Sequence, residues 1–118
     1  MSDQLSDHIR TRIAPGTWVV RAGGAIIGET TRAVELTEGA RDPVIYIPRA
    51  DMAMAILEPT ARRTTCPHKG EASYFTVVTP SERLENAVWS YETPKPGVEA
   101  IAGHLAFYTD RVTVERVS

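Results

Sequence analysis

One short run concentrates the chain's reactive chemistry: Thr65-Cys66-Pro67-His68-Lys69-Gly70. Pro67 has no backbone N–H, whereas the amides of His68, Lys69 and Gly70 could converge on an anion as a backbone nest, with Lys69 adding a full positive charge. The same cation and amides would favour a thiolate, so Cys66 is a candidate nucleophile. Lys69 and the loop amides would then stabilise an oxyanion, and His68 or His104 would act as base. A plainer reading stands beside this one. Cysteine is often a small buried hydrophobe, and proline with glycine is ordinary turn chemistry.

Around the loop lie aromatic and cationic residues able to line a pocket. Tyr46, Tyr74, Trp89 and Tyr91, with Arg49 and Lys69, would suit a small anionic ligand with a flat apolar part. The candidate ligand-binding set is therefore Tyr46, Arg49, Cys66, His68, Lys69, Gly70, Tyr74, Trp89 and Tyr91. The same aromatics could equally form the core and its rim. No metal site is expected, because one cysteine and two well-placed histidines fall short of the three or four ligands a zinc ion takes. Lys69-Gly70 is not a phosphate-binding P-loop either, since that motif needs a glycine frame before the lysine and a helix after it. No cofactor is implied.

Composition removes whole classes of function. Thirteen Lys and Arg against fifteen Asp and Glu give a formal charge of -2, the wrong sign for neutralising nucleic-acid phosphates. The bases are also scattered, apart from Arg62-Arg63. A single cysteine rules out an internal disulfide and suits a reducing compartment. The N-terminal run carries acids where a signal peptide needs bases, and no apolar stretch approaches the ~20 residues of a bilayer span. A cytoplasmic protein without membrane or nucleic-acid partners is expected.

The elements that must position the loop read as short strands. At 118 residues the chain suits one domain, with residues 1–9 as a flexible N-terminal segment and 10–118 as a single β domain. Two β-rich runs around Gly23-Gly24 form the clearest hairpin. Val34 and Leu36 share a strand face before Glu38-Gly39 breaks the run, and 44–47 is another strand. Met52 with Ile56, and Ala53 with Leu57, recur at helical spacing after Pro48, which predicts a helix over 48–57. Strands flank the Cys66 loop, 87–91 follows as a strand, 98–101 reads as a helical turn, and 104–109 with 112–117 closes the chain as a hairpin. The fold class is mainly β: a single antiparallel roll or open barrel of about eight short strands with one short helix.

Four segments together carry a family resemblance: Tyr46-Ile47-Pro48-Arg49-Ala50-Asp51, the Cys66 run continued through Glu71-Ala72-Ser73-Tyr74, Trp89-Ser90-Tyr91, and Ile101 through Tyr108. They resemble the bacterial and fungal proteins called domain of unknown function 427, from about Arg10 to the C-terminus. The Cys-Pro-x-Lys-Gly-x-Ala-Ser-aromatic run is the most specific motif. His68 departs from the family, which usually carries Tyr or Trp there. The resemblance implies a compact antiparallel β domain with a short helix and implies no activity. The family also bears a nucleotidyltransferase label, yet this chain has neither a paired-carboxylate metal site nor a glycine-rich phosphate loop.

Three functions remain open at this point. The first is binding of a small polar or anionic ligand beside the 66–70 loop. The second is an enzyme with Cys66 as nucleophile, and the third is a non-catalytic homodimer formed through exposed strand edges.

Overall fold

Short β-prone runs punctuated by glycine and proline turns become, among the described residues, ten strands in three antiparallel sheets. The structure, a computed structural model, describes residues 8–118. The flexible segment expected over 1–9 thus falls mostly outside the described residues, and Ile9 already stands in the first strand. Strands β1 (Ile9–Ile13), β4 (Val34–Glu38) and β5 (Val44–Tyr46) form one sheet in the order β1-β4-β5. A second has the order β10-β2-β3, from β2 (Trp18–Ala22), β3 (Ala25–Thr30) and β10 (Thr113–Arg116). The third runs β6-β7-β8-β9, from β6 (Leu57–Cys66), β7 (Gly70–Val78), β8 (Arg83–Ser90) and β9 (Ala106–Phe107). No sheet closes into a barrel, and no described helix is long and apolar enough to cross a membrane.

The third sheet is the layer the other two share. Side chains alternate along a strand, and β7 uses both of its faces. Phe75 and Val77 join Val88, Phe107, Val20 and Ile27 in one hydrophobic cluster. Ala72 and Tyr74 join Val34, Leu36, Tyr46, Tyr91 and Ile101 in the other. β5 and the bridge after it repeat the pattern, since Tyr46 enters one cluster and its neighbour Ile47 the other. The second of these clusters is rich in phenols and carries the candidate site.

The Gly23-Gly24 hairpin forms as expected, with both glycines at positive φ between β2 and β3. Residues 48–57 behave differently from the helical spacing. They make two single 3-10 turns, Arg49–Asp51 and Met54–Ile56, because sheet partners capture the backbone between them. Met52 bridges Gly28, and the Ala53 amide donates to the Ile27 carbonyl at 2.9 Å. Gly28 leaves room for the Met52 side chain, whose sulfur would have to move to admit a Cβ there. Asp51 adds a tether by accepting from the Thr30 hydroxyl at 2.6 Å and pairing with Arg32. Those bonds hold its carboxyl below the usual aspartate value, led by the Thr30 hydrogen bond against the upward pull of burial.

The chain end also departs from expectation. The hairpin over 104–117 does not form: β9 pairs with β8 in the third sheet, while β10 crosses to pair with β2. The amides of Arg111 and Val112 both donate to the Tyr108 carbonyl. That turn leads the chain away through Val112, which is buried in the first cluster, and the pairing moves with it to β2.

Gly70 is the conformational hinge of the Cys66 loop. It begins β7 opposite Cys66 at φ +111°, a backbone region that side chains with a Cβ rarely adopt. Its added Cβ would meet only an ordinary contact at 3.5 Å, so any cost of substitution is conformational. Gly70→Ala is expected to lower stability by about 1–3 kcal/mol, read as a lower urea midpoint at unchanged slope. An unchanged midpoint would show that the loop relaxes freely.

Candidate functional site

The hairpin joining β6 to β7 is three residues long, Pro67-His68-Lys69, between the register partners Cys66 and Gly70. Its tip folds over the end of β4. Lys69 is buried, and its Nζ donates to Glu38 Oε1 at 2.8 Å with each side chain only 11% exposed. On its other side the loop is braced by the proline-rich segment 93–97, where the Lys95 amide donates to the Lys69 carbonyl at 3.0 Å. The two bonds fix the loop between β4 and the chain after β8.

Glu38 reaches this position by strand alternation. Val34, Leu36 and Glu38 lie on one face of β4 and are all buried, so the acid must find a cation there. The Lys69 hydrogen bond holds its carboxyl below the ordinary glutamate value. Burial pushes the other way, while the charges of Lys69, Arg41 and His68 reinforce the lowering.

Beside this pair opens a cleft of about 280 Å³, lined by Leu36 and Val44, by Glu38, Arg41, Asp42 and Lys69, and by Tyr46, Tyr74, Trp89, Tyr91 and Tyr108. All four tyrosines of the chain therefore converge on one concave surface. β5 supplies Tyr46, β7 supplies Tyr74, β8 supplies Trp89, and the segments just after β8 and β9 supply Tyr91 and Tyr108. Trp89 donates its indole N–H to the Tyr46 hydroxyl at 3.3 Å and packs on Tyr108, with ring centroids 4.8 Å apart. Lys69 Nζ lies 5.9 Å from the centre of the Tyr91 ring.

The phenols are not equivalent. Burial pushes Tyr46 up to about 12 against the opposing bond from Trp89, and burial raises Tyr91 as well. Burial also acts on Tyr74, but hydrogen bonding with Thr64, Tyr108 and Arg62 outweighs it, so that phenol lies below its usual value. The Thr64 hydroxyl is 2.9 Å from that of Tyr74. Burial also leads the rise of the Tyr108 phenol, so Tyr74 is the one cleft phenol held below its usual value.

The sequence-derived candidates divide by location. Tyr46, Lys69, Tyr74, Trp89 and Tyr91 line this cleft. Cys66 is half-buried and packs against the same tyrosine cluster, and Gly70 forms the strand end beneath the loop. Arg49 lies elsewhere. It donates to Gly103 O, Ser90 Oγ and Glu92, stacks 5.5 Å above the Phe75 ring, and lines a separate cleft with Arg63, Glu71 and Ser73. His68 sits at the loop tip with its ring centre 6.2 Å from that of His8. His104 is bonded through Nδ1 to the Ala102 carbonyl at 3.0 Å.

Glu38 and Tyr108 are the site residues that sequence reasoning missed, together with the rim pair Arg41 and Asp42. A signal for Glu38 exists: it continues the i, i+2, i+4 alternation begun by Val34 and Leu36, so the strand period alone places an acid on a buried face. Tyr108 follows a strand of only two residues, too short for alternation to assign its face.

A model of the protein family described as Domain of unknown function (DUF427) matches residues 10–118. No curated protein matches the chain.

Removing one partner of the buried pair would leave the other charge uncompensated. Glu38→Gln is expected to cost about 2–4 kcal/mol, measured by urea unfolding at neutral pH, and Glu38→Met with Lys69→Met should recover most of that loss. Because the folded-state carboxyl is depressed, its contribution is full above the ordinary glutamate range near ~4.3. It is lost as the pH falls through the folded value. Stability profiles for wild type and Glu38→Gln should therefore run parallel from neutral to mildly acidic pH and converge as acid is added below ~4.3, and profiles that stay parallel there would contradict the pairing.

Proposed function

This chain belongs to the family described as Domain of unknown function (DUF427), and we propose that it binds a small molecule with a flat apolar part and a polar or anionic end in the cleft beside the 66–70 loop. The convergence of every tyrosine in the chain, with Trp89, on one concave surface carries the reading. Aromatic faces offer apolar area in fixed orientation, and their hydroxyl and indole groups offer directional hydrogen bonds. The volume of about 280 Å³ suits a single-ring or small two-ring compound.

The loop's part in this is architectural. Lys69 is engaged by Glu38, so its charge is already balanced. Polar recognition passes to the phenol hydroxyls and to the rim. Binding is favoured over nucleophilic chemistry at Cys66 because the two histidines that would serve as base have other surroundings: His68 faces His8, and His104 bonds Ala102. Among the described residues neither is hydrogen-bonded to the thiol.

Trp18→Phe leaves Trp89 as the sole tryptophan, which makes its indole resonance and fluorescence reporters of the cleft. Flat aromatic fragments at millimolar concentration should shift the Trp89 indole signal saturably, and Val44→Phe, which fills the cleft from a half-buried lining position and adds no second indole, should abolish the shift. A fragment set that never moves Trp89, or a shift that survives Val44→Phe, would overturn the proposal.

A further inference from the structure

The part of the cleft formed by Tyr74 and Tyr108 has positive charge set against its rings. Tyr74 and Tyr108 line the cleft, and each carries a guanidinium over its ring. Arg62 lies 4.9 Å from the Tyr74 centroid and Arg111 lies 5.5 Å from that of Tyr108. Both arginines are exposed. Neither belongs to any of the ion pairs among the described residues. Arg111 spends one nitrogen on the Glu85 carbonyl at 2.8 Å, which anchors the side chain and leaves its remaining N–H groups to other acceptors. The Thr64 hydroxyl meets the Tyr74 hydroxyl at 2.9 Å; one of the two O–H groups donates to the other, which leaves the second free to donate to a ligand.

Resting on the cleft reading above, we infer that Arg62 and Arg111, with the hydroxyls of Thr64, Tyr74 and Tyr108, form an anion subsite. It receives a carboxylate or phosphate on a ligand whose ring stacks against Trp89. Guanidinium groups suit planar, multidentate recognition of such anions, and rings beneath them restrict where the guanidiniums can go. The surroundings agree with that use. The two rings that the guanidiniums overlie, Tyr74 and Tyr108, line one and the same cleft. The division of labour follows. Lys69, balanced by Glu38, builds the wall, and the arginines carry the ligand's charge.

The chemical class is an aromatic carboxylate or aryl phosphate, and benzoate, phenyl phosphate and the neutral benzyl alcohol test it. Titrations follow the Trp89 signal in the Trp18→Phe protein at low salt. Benzoate or phenyl phosphate should bind at least about tenfold more tightly than benzyl alcohol, with the preference shrinking as salt is added. Arg62→Gln with Arg111→Gln should bring the anions down to the level of the alcohol while leaving benzyl alcohol unchanged. Should the double variant unfold more readily because the Glu85 contact is lost, Arg62→Gln alone carries the test with a smaller drop. Saturable binding of benzyl alcohol without an anion preference, or a preference that survives loss of the arginines, would overturn the subsite and leave the cleft standing. Silence of Trp89 toward all three probes would overturn the cleft reading and the subsite with it.

Discussion

A buried lysine-glutamate pair holds this molecule's site together. Lys69 sits at the tip of a three-residue hairpin in the four-stranded sheet, and Glu38 at the end of a strand in another sheet. Their contact joins two sheets that no ladder of backbone bonds connects directly at this point. Desolvating two charges is expensive, so such a pair is weak grounds for extra stability. What it supplies is position. An unpaired Glu38 or Lys69 would be costly in any other arrangement, which makes the loop's seat over β4 the one that satisfies both.

With that seat fixed, the aromatic side chains fall into place by alternation. Tyr74 and Trp89 are register partners on β7 and β8, and their rings share a face of the central sheet with Ala72 and Ala106. Small residues beside large ones leave the concavity. Phe75 and Val88, one position along, are also register partners, and they close the core on the other face. A single sheet thus serves as floor for a dry cluster on one side and a hydroxyl-lined cleft on the other.

Much of this was legible in the residues, and the parts that were not share a cause. The Gly23-Gly24 hairpin, the strands flanking the Cys66 loop and the face shared by Val34 and Leu36 follow from local period and turn chemistry, and all are present. The helical spacing at Met52 and Ile56 failed because Gly28, distant in sequence, captures the backbone at Met52. The terminal hairpin failed because β10 finds β2 rather than β9. Within the site, five of the nine expected ligand-binding residues line one cleft, whereas Arg49 is drawn to Glu92 and Ser90 on the other side of β7. Glu38 looks locally like a strand terminator because glycine follows it. Its partner lies 31 residues away, and no local pattern reports a partner at that range.

The outer strand of the central sheet has a bearing on assembly. β6 is ten residues long and lies at the sheet's edge, the kind of border that invites an added strand from a neighbouring molecule. Pro59 has no N–H to offer there, and the register with β7 slips between Pro59 and Arg63, so a straight intermolecular ladder would be interrupted near its middle. Arg62 and Arg63 would also set like charges against those of an identical chain arriving alongside. A second copy approaching this border would meet the slipped register and the paired arginines together, so β6 offers few consecutive backbone bonds for an added strand.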